Sequence, residues 1–200
     1  MKKFLLTTLL LLSFVVTAMA KFRPAVIETY DGKKIECLAD YSWQLSSNVK
    51  YKLVEKGETF KIKSDSVKYI EYVDDESINL WMHIPVHYIK KDGSYLIVKW
   101  PKMFWVQAFE DPRKEDKYIM FLRTVSDKYG TRYYYGMYKN SDDFGVYCVH
   151  PDVVAANSRK STQTVVSDCP ELVEYLENKE VKLRNGEDLQ KIIDEYNKCK

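Results

Sequence analysis

Apolar and polar residues alternate in short runs between Lys21 and Val73, and turn signals separate the runs. This spacing predicts antiparallel strands with one dry and one wet face. Asp31-Gly32 joins the run ending at Tyr30 to one in which Ile35, Cys37, Ala39 and Tyr41 share a face while Lys34, Glu36 and Asp40 point away. Lys56-Gly57 joins Val49, Tyr51 and Leu53 to Phe60 and Ile62, and Val67 to Val73 completes a predicted five-stranded curled sheet.

From Met82 to His150 the texture changes, because several runs are apolar on both faces. Asp92-Gly93 is a two-residue hairpin signal between Val86–Ile89 and Tyr95–Trp100. Runs follow at Met103–Phe109, Tyr118–Val125, Arg132–Tyr138 and Phe144–Val149. Strands apolar on both faces are covered on both sides, and the expectation is the first sheet on one and C-terminal helices on the other. Glu110 to Lys117, with Pro112, reads as an exposed loop.

After Pro151 the strand pattern stops. A helix is expected from Asp152 into the 160s, with Asn157–Thr164 either its frayed end or a linker. Asp168, with Glu171 three residues on and Pro170 in the first turn, predicts the start of a helix carrying Leu172, Val173 and Leu176. Another starts near Asn185, and Leu189, Ile192, Ile193 and Tyr196 form its apolar stripe. The fold class is therefore α+β: a predominantly antiparallel β-sheet, as a small curled barrel or sandwich, followed by a C-terminal helical hairpin. The expected divisions are 1–20, 21–150 with room for a subdivision near 75–82, and 151–200.

Residues 1–20 read as a signal peptide: Lys2 and Lys3, then the apolar run Phe4–Val16, then Ala18-Met19-Ala20. The run is shorter than a bilayer-spanning helix needs, so no transmembrane anchor is expected after cleavage. Without Lys2 and Lys3 the chain has 29 basic and 29 acidic residues. That balance, with the two signs interleaved, argues against nucleic acid as a partner.

Four cysteines in an exported chain are expected to pair. If the last two helices pack as an antiparallel hairpin, the start of one lies beside the end of the other, which pairs Cys169 with Cys199. Elimination then pairs Cys37 with Cys148, the alternative being that one or more of the four is a free, reactive thiol.

The words Asp168-Cys169-Pro170-Glu171-Leu172 and Tyr196-Asn197-Lys198-Cys199, behind a leader and a β-rich region, resemble a group of uncharacterised exported proteins of Bacteroidota. The resemblance implies an envelope or secreted protein, periplasmic or extracellular, with strands first and a helical tail last. It implies no activity, cofactor or catalytic residue. The layout of the first five strands is similar to small SH3-like or Sm-like barrels.

Candidate chemistry is sparse. His83 and His87 would share a helix face, but Pro85 between them disfavours a helix, and on a strand they stand too far apart for one ion. Cys148 and His150, two apart on a strand, are poorly placed as thiol and base. Asp74-Asp75-Glu76 and Asp142-Asp143 supply the paired acids that glycosidases and calcium sites use, yet both adjoin turns and read as solvated loop acids. No nucleophile elbow, P-loop or dinucleotide fingerprint is present. No catalytic residue, metal or cofactor is assigned.

Aromatics are the remaining signal. Alternation puts Tyr134 and Tyr138 on one face of a strand and Tyr133 and Tyr135 on the other, with Trp81, Trp100 and Trp105 available nearby. If exposed, such a surface suits a protein or glycan partner. If buried, it is cross-strand core. The reading favoured is a non-catalytic exported β-rich protein that presents a binding surface, with Tyr133, Tyr134, Tyr135, Tyr138 and Trp105 as candidates. Two other classes stay open: a hydrolase of envelope or dietary polymer, which needs two converging carboxyls with one pKa raised, and a structural subunit of an envelope assembly.

Overall fold

A computed structural model describes residues 22–41, 47–73, 78–89, 95–96, 103–149, 151, 155–178 and 181–199. The leader therefore lies outside the described residues, as do the Asp92-Gly93 turn, Asp74–Glu76, Trp100 and His150. The chain forms two compact units, divided between residues 77 and 78.

The first unit is a five-stranded antiparallel sheet of β1 (Phe22–Thr29), β2 (Lys34–Asp40), β3 (Asn48–Lys52), β4 (Phe60–Lys63) and β5 (Val67–Val73). Its order is β5-β1-β2-β3-β4, and a 3-10 turn, Ser64–Ser66, leads into β5. Register sets the faces. Ala25 pairs with Cys37 and Tyr72, Ile27 with Ile35 and Ile70, Ala39 with Tyr51, and Val49 with Ile62. Ala25, Ile27, Ala39, Val49, Ile70 and Tyr72 are buried on this face, whereas Lys34 and Glu36 are exposed. Gly32 takes the positive φ (83°) that the β1–β2 turn requires, and its N–H donates to the Thr29 carbonyl at 3.0 Å.

In the second unit, β6 (Ile78–Ile89), β8 (Met103–Ala108), β9 (Ile119–Asp127), β10 (Gly130–Tyr138) and β11 (Gly145–Val149) form a closed five-strand barrel. Neighbours are antiparallel except at the seam, where β11 runs parallel to β6 (Gly145 with Val86, Val146 with His87). A short β7 (Tyr95–Leu96) pairs with the far end of β6. Closure explains the doubly apolar strands. One face, with Ile84, Val106 and Phe121, lines the barrel's own interior, and the other, with Met120, Met137 and Cys148, lies under the helices. The interior is tight at Gly136, where a Cβ would come within 2.2 Å of the Phe121 ring and 2.5 Å of the Val146 carbonyl.

Three helices follow: α1 (Ala155–Val165), α2 (Pro170–Glu177) and α3 (Gly186–Lys198). The stretch 157–164, expected as a frayed end or linker, is helix. Its buried positions are Ser158, Ser161 and Thr162, small enough for close packing, and the Thr162 hydroxyl donates to the Ser158 carbonyl at 3.0 Å. Leu172, Leu176, Leu189, Ile192, Ile193 and Tyr196 build the core between α2, α3 and the barrel wall. Asn185 caps α3 by accepting from the Asp188 N–H at 2.9 Å. Asp168 does not cap α2. Cys169 occupies the N-cap without a side-chain bond, and Asp168 instead accepts from the Tyr196 hydroxyl.

Cys169 and Cys199 form a disulfide, joining the start of α2 to the end of α3. Cys37 and Cys148, the other expected pair, are free cysteines. Cys148 faces the helices at 1 % exposure, with its Sγ 3.6 Å from the Val146 carbonyl. Cys37 is half-buried on β2 of the other unit. Burial pushes their pKa values up, to about 12 for Cys148 and about 11 for Cys37. No helix among the described residues is long and apolar enough to cross a membrane.

Candidate functional site

The five aromatic candidates do not form one exposed face. Tyr134 and Tyr138 point into the barrel and are buried, and Trp105 is buried in a stack on His83 with ring centres 4.6 Å apart. Tyr135 is half-buried against the start of α3, where a Cβ at Gly186 would meet its ring at 2.6 Å. Only Tyr133, at 51 %, is exposed. Of the tryptophans named with them, Trp81 is also buried, hydrogen-bonded to Asn79 at 2.8 Å. The aromatic signal is thus largely core and cross-strand packing. His83 and His87 lie on the strand β6, and His87 meets the Phe144 ring edge-on at 4.4 Å, its pKa lowered by burial.

Three clefts are better candidates. In the second unit, a pocket of about 340 Å³ opens at the β10–β11 turn, lined by Tyr118, Ser141, Asp142, Asp143, Phe144 and Thr164, with Met137, Val146 and Val165 beneath. Local bonds hold its walls. Asn197 on α3 grips the backbone of Tyr118 twice, accepting from its N–H at 3.1 Å and donating to its carbonyl at 2.9 Å. Burial, then a hydrogen bond to Asp142, pushes the Tyr118 phenol far above its ordinary pKa. Tyr196, its ring centre 5.3 Å from that of Tyr118, is raised by burial and by its bond to Asp168. Asp116 is held below the usual carboxylate range by hydrogen bonds from Lys139, 3.0 Å away, and from Ser141.

Asp142 is therefore half-buried and engaged, contrary to the expectation of a solvated loop acid, whereas Asp143 beside it is exposed. The pocket sets two carboxylates, three hydroxyls and one phenyl ring around a volume at the lower end of the small-ligand range. Such a set accepts hydrogen bonds from a ligand's hydroxyl groups and packs a ring against its apolar face.

On the first unit, a groove of about 570 Å³ runs along the open end of the dry face. Ile35, Tyr51 and Ile62 line it, with Tyr30, Lys33, Lys61, Asp31 and Asp65 around them. A bond from the Thr29 hydroxyl, then one from the Lys33 backbone, lowers the Asp31 pKa. The third cleft, about 340 Å³, follows the seam of α2 and α3 beside the disulfide, where Lys198 and Glu195 pair at 2.7 Å.

Among the described carboxylates with a shifted pKa, none is raised as a general acid requires. Asp31 and Asp116 are lowered as described. Burial alone would raise Asp111, but hydrogen bonds and charge from Arg113 outweigh it. No group of three or more metal-ligating residues occurs among the described residues.

Sequence reading missed Tyr118, Thr164 and the Asn197 clamp, whose partners lie far apart along the chain and leave no local signal. Asp142 was considered, and only the fold supplies its tyrosine partner. No family model, curated protein or solved structure matches the chain.

Proposed function

We propose that the chain is an exported, non-catalytic β-rich protein of the bacterial envelope or secretome, and that it binds a glycan in the pocket at the β10–β11 turn. The leader-like residues 1–20 support export, and so does the Cys169–Cys199 bridge, which persists in an oxidising compartment. The observation that carries the ligand reading is the crowding of Asp142, Asp143, Tyr118, Ser141 and Thr164 around the Phe144 ring. Sugars present hydroxyl donors and apolar C–H faces, and carboxylates accept from hydroxyls more strongly than neutral acceptors do.

A glycan array probed with the mature, oxidised protein tests this. Asp143→Asn is the informative variant, because the carboxylate is exposed and the substitution keeps its size. Binding to a set of neutral glycans that falls about tenfold in Asp143→Asn, a loss of about 1.4 kcal/mol, is the expected result. No binding by the wild type, or equal binding by the variant, contradicts it.

A protein partner on the first unit is the second reading. It is favoured by Tyr30 and Phe60, exposed at 47 % and 38 %, at or near the groove. Pull-down of an envelope protein that is lost in Tyr30→Ser and kept in Asp143→Asn would select this reading over the first.

A further inference from the structure

Arg123 stands on β9 between inward-facing Phe121 and Val125, opposite Tyr134, so alternation aims it into the barrel. Its guanidinium carbon lies 3.7 Å from the centre of the Phe104 ring and 6.0 Å from that of Tyr134. One nitrogen, Nη1, reaches the Tyr147 hydroxyl at 3.4 Å. No carboxylate pairs with it among the described residues, unlike Arg113, which is paired with Asp111, and Arg132, which is paired with Asp127.

A half-buried cation without a counter-ion is costly unless something else compensates it. Stacking on Phe104 compensates the face of the guanidinium and leaves its edge, a rigid fork of N–H donors. Arg132, opposite Val125 two residues further along, shares this register, but its charge is balanced by Asp127. Tyr147 adds a hydroxyl. A flat cation held by aromatic rings, with one N–H given to the Tyr147 hydroxyl and no carboxylate on the rest of its fork among the described residues, matches the geometry of a carboxylate or phosphate.

We propose that Arg123, stacked on Phe104 on the inward face of β9, receives the oxyanion group of a ligand, a carboxylate or a phosphate. The site is separate from the glycan pocket, since Arg123 lies five residues along β9 from Tyr118, roughly 17 Å at strand rise.

The test is a titration of the ¹⁵N-labelled full chain with inorganic phosphate and, separately, with acetate, at constant ionic strength. The Arg123 Nε–H signal, the Tyr147 amide and the melting temperature are followed. A saturable shift with at least one anion and a rise in melting temperature are expected. The anion that saturates at lower concentration identifies the head group. Arg123→Lys keeps the charge and loses the fork, so the affinity read from the Tyr147 amide should fall at least tenfold, whereas Asp143→Asn should leave it unchanged. Absence of a saturable shift in the wild type overturns the proposal, whatever the stability of the variant. Equal anion affinity in a folded Arg123→Lys overturns it as well.

Discussion

The first unit and the second both begin from strands with a dry face, and they bury it by different means. The first leaves its sheet open at one end, so Ile35, Tyr51 and Ile62 stay only partly buried and a groove results. The second closes its sheet through the parallel β11–β6 seam, which encloses Ile84, Val106 and Phe121 and requires Gly136 where the Phe121 ring meets the wall. Closure removes sheet edges, and the clefts described on this unit lie at the β10–β11 turn and along the helix seam.

Core truncation should separate the two most strongly. Phe121→Ala, at a fully buried position, should cost about 3–5 kcal/mol, whereas Phe60→Ala, at a half-exposed one, should cost under about 1 kcal/mol. Chemical denaturation of each variant checks this, and similar losses would show that the first unit is packed as tightly as the second.

Removing the clamp on the helices comes next. Cys169→Ser with Cys199→Ser opens a loop whose ends are 30 residues apart, and the chain-entropy model gives a loss of roughly 3–4 kcal/mol. Hydrogen exchange should register that loss in α2 and α3 and leave the first unit unchanged.

Glycine substitutions sharpen the contrast further. Gly136→Ala overpacks the barrel and should cost about 2–3 kcal/mol. Gly32→Ala meets nothing within 4 Å and violates only its positive φ, a loss of about 1–2 kcal/mol. Thermal melts order the two.

The smallest effect at neutral pH comes from the thiols. In the unfolded chain both lose a proton near 9.0, but folding holds the proton of Cys37 to about 11 and that of Cys148 to about 12. Stability is therefore unaffected below pH 9 and falls as pH rises from there toward 12, because the unfolded state ionises first. Comparing melting temperature against pH for wild type and Cys148→Ala isolates the Cys148 share. An unchanged alkaline slope would contradict its burial.

Much of the fold was legible wherever local pattern and tertiary demand coincide. The stripe Leu189, Ile192, Ile193 and Tyr196 behind the Asn185 cap is α3, and the geometry of a helical hairpin was enough to pair Cys169 with Cys199. The Asp31-Gly32 turn joins β1 to β2 as expected, and alternation put Ile35, Cys37 and Ala39 on one face of β2. A small curled barrel was one of the two forms expected, but which strands close it was not legible, since a parallel seam between distant strands has no local trace. Helix α1 was obscured because its buried face is Ser158, Ser161 and Thr162 rather than an apolar stripe.

The tyrosines misled for a related reason. Alternation divided Tyr134 and Tyr138 from Tyr133 and Tyr135 but could not say which face was enclosed. Arg123 did leave a signal: a cation at an inward position of the apolar run Ile119 to Val125 breaks the pattern. The pocket at the β10–β11 turn left almost none, since Tyr118, Asp142 and Thr164 belong to three separate elements or turns.

Mapping a glycan hit by amide chemical shifts, on the labelled full chain, tests the pocket most directly. The account predicts perturbations centred on Tyr118, Ser141–Phe144 and Thr164 that vanish in Asp143→Asn. Perturbations centred instead on Tyr30, Lys33 and Tyr51, or none at saturating glycan, would contradict it.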